Sequence, residues 1–313
     1  MELSYLSDVC SLKSSMLESK FHSLFWLHDI RRRKTPGGPR PGSMRSKYCM
    51  SSYSYMDALL KDSSVDSSVK LIYKPYMDSL CSTLTVAAPG MKSLRFDEEL
   101  RVCKSDSGSQ RAVIQNWLFC SDRLRRIRLT YFDAGSACQA FNSLLYPDWR
   151  FDYPLLGIDL LAFGKKKILC VVDFQPLSQD PGYLEKYTAG LAPIQNKFAM
   201  FCSKMSTRFY NEKEFFSKQL IFYRSDRGAA DPLLQVPDGL FFSTYMGYVT
   251  SYLKWLHLLE PVYDLDFKMA VRNRHTEYDT YSSERDPAIK VFTQYFGQKW
   301  SERFASEFLF PRD

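Results

Sequence analysis

Between Arg111 and Leu177 five apolar segments follow one another with little chain between them: "AVIQNWLFC", "RRIRLTYFDAG", "CQAFNSLLYP", "LLGIDLLAFG" and "KILCVVDFQPL". Each is rich in β-branched and aromatic residues and bounded by Gly, Pro, Asp or Ser, as strands are. The links "DAGSA" and "FGKKK" have hairpin length, and "YPDWRFDYP" is a longer turn. Parallel neighbours need a crossover of about a dozen residues or more, so links this short dictate an antiparallel meander.

After Pro176 the periodicity changes. "GYLEKYTAGLAPIQNKFAMFCSKM", "PDGLFFSTYMGYVTSYLKWLHLLE" and "DFKMAVRNRHTEYDTYSSER" have helical spacing, with "FFSKQLIFYRS" as one further strand between the first two. "DPAIKVFTQYFGQKWSERFASEFLF" reads as one or two closing helices, with Gly297 at the break. Upstream, "SYSYMDALLKD" over 52–62 suits a short amphipathic helix, whereas "SVKLIYKPYMDSLCSTL" is ambiguous. Strands that do not simply alternate, followed by enough helix to cover both faces, predict an α/β protein: a three-layer α/β/α sandwich around a central, largely antiparallel sheet.

Residues 51–313 are expected to form one domain. Residues 1–50 differ from the rest: they hold nine Lys/Arg and four acids, +5 of the chain's net +7, are rich in Ser and end in "RRRKTPGGPRPGSMRSK". That composition suits an organelle transit peptide, with a disordered basic tail or a nuclear signal in "RRRK" as the alternatives. The remainder is near neutral, so the charge gives no support to nucleic-acid binding. No run of about 18 apolar residues occurs, so no segment has the length of a membrane-spanning helix.

The eight cysteines form no CxxC pair, and their spacing suits neither a zinc site nor an iron–sulfur cluster; free thiols in a reducing compartment are the simplest reading. Of four histidines, His22 and His28 lie in the first segment, His257 falls in an apolar helical run and reads as packed, and His275 lies in a polar stretch. A histidine metal cluster or a Ser/His/Asp triad therefore has no support. There is no GxGxxG, and "GKKK" at 164–167 lacks the spacing of a phosphate loop.

Asp159 lies inside "LLGIDLLAF", where an ionised carboxylate is costly unless it is paired, protonated or kept for chemistry. Asp133, Asp148 and Asp152 sit at turns and read as structural, and Asp173 reads as a strand-end hydrogen-bonding group. Asn142 is a polar side chain within a strand. Asp286, before Pro287, has the pattern of a helix N-cap. Arg123, Arg125, Arg126 and Arg128 read as a solvated or partner-facing set.

Taken together, "VIQNWLF", "DAGSACQAFNSLLYP", "YPLLGIDLLAFGKKK", "DFQPLSQDPGYLEKY", "YDTYSSERDPA" and "YFGQKWSERFASEFLFP" resemble, in order from about Arg111 to Pro311, the ferredoxin-dependent bilin reductases, and among them the branch acting on the 15,16 bond of biliverdin. Residues 51–110 match weakly and 1–50 not at all. The resemblance implies biliverdin IXα as substrate, held between the sheet and the C-terminal helices. No cofactor would be bound: electrons would come singly from an acidic plant-type ferredoxin, an external iron–sulfur protein, in a radical mechanism. It implies Asp159 and Asp286 as catalytic carboxyl groups, Asn142 as a substrate-binding residue where other family members carry a histidine, and Arg224 as a propionate-binding residue. The expected reaction is a two-electron reduction at C15=C16 to 15,16-dihydrobiliverdin, in a chloroplast, with the next bilin reductase as a possible partner. A four-electron relative making phytourobilin or phycoerythrobilin, and a non-enzymatic bilin carrier, stay open. "RLRRIR" and Lys165–Lys167 are the expected ferredoxin-docking charges.

Overall fold

The computed structural model describes residues 65, 68–105, 111–164, 166–205, 210–211 and 213–311. The expectations for 1–50, the 52–62 helix and Lys165 fall outside them.

The five segments form the antiparallel meander: β3 (Ala112–Cys120), β4 (Leu124–Asp133), β5 (Cys138–Pro147), β6 (Leu155–Phe163) and β7 (Lys167–Gln175), numbered after two short strands, β1 (Lys92–Ser93) and β2 (Val102–Ser105). β8 (Ile221–Ser225) completes an eight-stranded sheet in the order β1-β3-β4-β5-β6-β7-β8, with β2 also on β3. Every pairing is antiparallel. Both rims are finished by short pieces. β1 and β2 share the outer side of β3, and beyond β8 lies the bridge Cys202–Tyr223 with a bond from Ser203 N–H to the Phe222 carbonyl at 2.7 Å.

A single-turn helix, α2 (Glu98–Arg101), joins β1 to β2, and one face packs on α1 (Lys74–Ala87), α3 (Pro181–Tyr187), α4 (Ala192–Phe198) and α5 (Leu240–Leu258). The ambiguous stretch before Ala87 is thus helical, because Tyr76, Met77, Leu80, Cys81 and Leu84 make one apolar stripe. α5 buries Phe241, Tyr245, Tyr248, Tyr252 and Leu256 at the same spacing. Its tyrosines can be buried because their hydroxyls meet carbonyls: Tyr245 donates to Tyr76 O at 3.0 Å and Tyr252 to Pro154 O at 3.0 Å.

The opposite face carries α6 (Leu265–Arg285), α7 (Ala288–Phe296), α8 (Gln298–Arg303) and a closing π turn, Phe304–Leu309. The sandwich expected from the sequence is present. α7 ends at Gly297, whose φ of 83° is left-handed. Phe292, Phe304 and Phe308 cover Ile114, Leu118 and Phe132 of β3 and β4. Toward β6–β8 that cover thins. Ala140, Asn142, Asp159, Leu161, Leu169 and Val171 are half-buried there, and Phe163, Lys167 and Arg224 are exposed. We read this thinly covered part of the face as a cleft with the sheet as its floor.

The packed reading of His257 is corrected by helical phase. His257 is exposed at the end of α5, and His275 is 1% exposed on the sheet-facing stripe of α6.

Candidate active site

Directly opposed residues of neighbouring antiparallel strands project on the same side of a sheet. The register therefore defines one row across the cleft floor, Asn116–Thr130–Asn142–Asp159–Val171–Phe222. The next row is Phe132–Ala140–Leu161–Leu169–Arg224, which is apolar until it ends in a cation at the rim. The first row has a polar half. Asn116 Nδ2 donates to Leu100 O at 2.6 Å, and Thr130 Oγ1 donates to Asn116 Oδ1 at 2.8 Å. Asn142 Nδ2 donates to Asp159 Oδ1 at 3.2 Å, while Asn142 Oδ1 is buried without a donor.

Desolvation pushes the Asp159 carboxyl up to about 7; the Asn142 bond opposes this, the charge of Asp286 adds to it, and Arg128 opposes it more weakly. Asp286 terminates α6, and its Oδ1 accepts from Ala288 N–H at 2.8 Å, so the helix-capping reading holds. Burial also raises its carboxyl, against the pull of that N–H and of Arg128. The cap and the cleft carboxyl are one side chain: closing α7 fixes where the group points. The structure thus brings Asn142, Asp159 and Asp286 together. Arg224 stands apart, exposed on β8 above the Phe222 ring at 5.0 Å, two strands from Asp159 on the same face.

The turn residues are structural, as read. Asp133 Oδ1 accepts from Gly135 N–H at 2.8 Å, Asp148 Oδ1 from Arg150 N–H at 3.0 Å, and Asp152 pairs with Arg274 at 2.6 Å. Asp173 is fully buried and accepts from Ser217 N–H at 2.8 Å and Ser217 Oγ at 2.5 Å.

The solvated reading of "RLRRIR" is overturned. Arg126 and Arg128 are 8% and 3% exposed, and Arg123 and Arg125 are half-buried. A register shift between Leu124 and Arg126 puts Arg125 and Arg126 both beside Tyr146, with guanidinium carbons 4.7 and 6.0 Å from its ring. Tyr146 donates to Asp279 Oδ1 at 2.6 Å, and Arg125 Nε donates to His275 Nδ1 at 3.1 Å. This buried group was missed. Its signal was the alternation of Arg126, Arg128 and Thr130 with Ile127, Leu129 and Tyr131, which marks two faces without saying which is covered. Among the described residues no cluster of His, Cys, Asp or Glu could hold a metal ion.

A cleft with an apolar floor, a carboxyl pair and a cation at its rim can hold a long, flat, acidic molecule and deliver protons to it. Residues 78–311 match the family model described as ferredoxin-dependent bilin reductase. A 15,16-dihydrobiliverdin:ferredoxin oxidoreductase from Nostoc punctiforme is 38% identical over 246 residues, covering 76% of this chain and 95% of that protein. One of the same name from Gloeobacter violaceus is 37% identical over 239 residues, with coverage of 76% and 95%. Among solved structures, phytochromobilin synthase from tomato in complex with biliverdin shares the fold, with a TM-score of 0.66 at 20% identity, over 76% of this chain and 82% of that one. On the span of the family match and the identity of these relatives, the chain belongs to the ferredoxin-dependent bilin reductase family.

Proposed function

We propose that this oxidoreductase takes biliverdin IXα to 15,16-dihydrobiliverdin, adding two electrons from ferredoxin and two protons across C15=C16. The relatives that carry the 15,16-dihydrobiliverdin name favour this product. The observation that carries the mechanism is Asp159, a carboxyl poised near 7 on the floor of a half-open apolar cleft. Near neutral pH it holds a proton for an appreciable fraction of the time, as a general acid must. The first electron makes the pigment a basic radical, and Asp159 protonates it; a second electron and a second proton, with Asp286 as the candidate donor, complete the reduction. Asn142 presents its unpartnered Oδ1 to a pyrrole or lactam N–H. Arg224 pairs with a propionate at the rim, where a guanidinium suits a carboxylate.

A four-electron outcome would need both carboxyls to be reprotonated from solvent for a second reduction, and the presence of the pair does not decide between the two. Anaerobic turnover with reduced ferredoxin tests the scheme. Wild type bleaches the biliverdin band to a 15,16-dihydro product that persists with excess reductant, whereas Asp159→Asn loses at least about 100-fold in rate, the contribution of one general acid. Wild-type turnover by Asp159→Asn would remove the assignment, continued reduction to a second product would favour the four-electron relative, and binding without bleaching would favour a carrier.

The donor we propose is an acidic plant-type ferredoxin, the site of action a plastid, and residues 1–50 the targeting segment, supported by their basic, Ser-rich composition. The product is still a conjugated pigment, a fit substrate for a second bilin reductase.

A further inference from the structure

Arg128 has a cost that neither the packing nor the site described so far explains. Its neighbour on the same face of β4, Arg126, donates to the carbonyl of Phe308. Arg128 makes no such bond: Nε and Nη1 are buried and meet no acceptor among the described residues, and the Phe310 ring lies 5.8 Å from the guanidinium carbon. A buried cation without contact to a carboxylate persists where negative charge lies close by in a medium of low polarity.

The register shows where that charge is. Thr130, two residues along β4, opposes Asn142, which opposes Asp159. Two strand spacings and one pleat repeat put the Arg128 and Asp159 Cα atoms about 12 Å apart by standard sheet dimensions, within the combined reach of the two side chains. The Arg128 charge holds down Asp159 on the sheet, and Asp286 and Asp279 on α6.

The other groups in this volume leave Arg128 unmatched. Tyr146 of β5, Tyr278 of α6 and Tyr210, before β8, are raised by burial and stay neutral. So does the Cys138 thiol, pushed up to about 12. His275 is held neutral by burial and by Arg125 and Arg274. Asp279, near 6, ionises first, but it is bonded by Tyr146 and shared with Arg125 and Arg126.

We propose that Arg128 is a positioning residue of the reduction: a buried counter-charge shared by Asp159 and Asp286, which lets one negative charge reside on that pair while the other carboxyl keeps its proton for the pigment. This rests on the reading of the two aspartates as proton donors. In the step concerned, ferredoxin supplies one electron and the Asp159 O–H bond breaks. The proton bonds to the pigment radical, and the electron pair stays on the carboxylate, in the field of Arg128, until solvent returns a proton.

The test is the pH profile of anaerobic turnover in wild type, Arg128→Gln, Arg128→Lys, Asp286→Asn and Asp159→Asn, with the absorption of bound biliverdin followed against pH without ferredoxin as a second readout. Because the acid must be protonated, wild-type rate falls as pH rises through the value of Asp159, near 7. Arg128→Gln moves that limb upward by about one pH unit, the lower end of what one opposite charge contributes, in both readouts. Arg128→Lys keeps the limb in place. Asp286→Asn, which removes the like charge beside Asp159, moves it downward; if Arg128→Gln shows no cooperative melt, Arg128→Met, which keeps the length of the stem without its charge, takes its place and must move the limb upward alike. An unmoved limb in Arg128→Gln, an equal shift in Arg128→Lys, or an unmoved limb in Asp286→Asn overturns the proposal. Asp159→Asn separates the two levels: inactive beside an unmoved Arg128→Gln limb, it leaves the proton donor standing and removes Arg128; at wild-type rate it removes both.

Discussion

A carboxyl kept near half-protonation inside a fold weakens that fold as it ionises. Asp159 titrates near 7 when folded and near 4 when unfolded, so between those values the native state binds the extra proton. Stability attributable to this group is therefore fully present below about pH 4 and declines as pH rises through 7. Asp159→Asn removes the titration and keeps the shape. We expect its melting temperature to exceed wild type by a few degrees at pH 8, with the gap closing toward pH 4, by calorimetry across that range. A variant no more stable than wild type at pH 8 would mean that the carboxyl is not desolvated. This residue was legible in the sequence because a charge within "LLGIDLLAF" is costly in any fold that buries the strand. Arg128 was not. An arginine alternating with apolar residues fits either face, and what buries it is Phe304–Phe310, some 180 residues away in sequence. His257 was misread for a related reason: only the phase of each helix against the sheet separates an exposed His257 from a buried His275.

At the scale of elements, the meander places Asn142 beside Asp159, and one glycine ties the floor to the roof. A Cβ on Gly157 would lie 2.5 Å from Gln175 Oε1, the atom that accepts from Tyr278 of α6 at 2.6 Å. Gly157 thus leaves room for the bond that holds α6, and with it Asp286, over β6 and β7. Gly157→Ala should displace the Gln175 amide and break that bond, costing about 1–3 kcal/mol as overpacking and lost hydrogen bonding. Weaker biliverdin binding and a lower melting temperature should accompany it. In the double variant with Gln175→Ala, the second change should cost less than it does alone, a coupling that a double-mutant cycle measures. The meander was legible because its links are too short for anything else. Helix α1 was not, since "SVKLIYKPYMDSLCSTL" shows helical phase only once the apolar face of the sheet lies beneath it.

At the scale of the molecule, exposed cations gather at one end of the sheet. Lys166, Lys167, Arg224 and Arg227 are exposed at the open end of the cleft, and Gly228 N–H bonds Lys166 O at 2.7 Å, joining the two loops that carry them. With Arg126 and Arg128 buried and Arg123 and Arg125 half-buried, this cluster takes over as the expected ferredoxin contact. The apparent KM for ferredoxin should rise roughly several-fold between low salt and 0.3 M, and charge reversal at Lys167 and Arg227 together should flatten that dependence. A salt-independent KM would remove the cluster from the contact. The same sheet has one more property. Its flanks end in two- and four-residue strands on one side and a single bridge on the other, so a second chain meets no long line of free amides against which to extend the pleat. A protein that must keep an apolar trough open between visits of its pigment is thereby protected from sticking to its own copies along the direction in which sheets most readily grow.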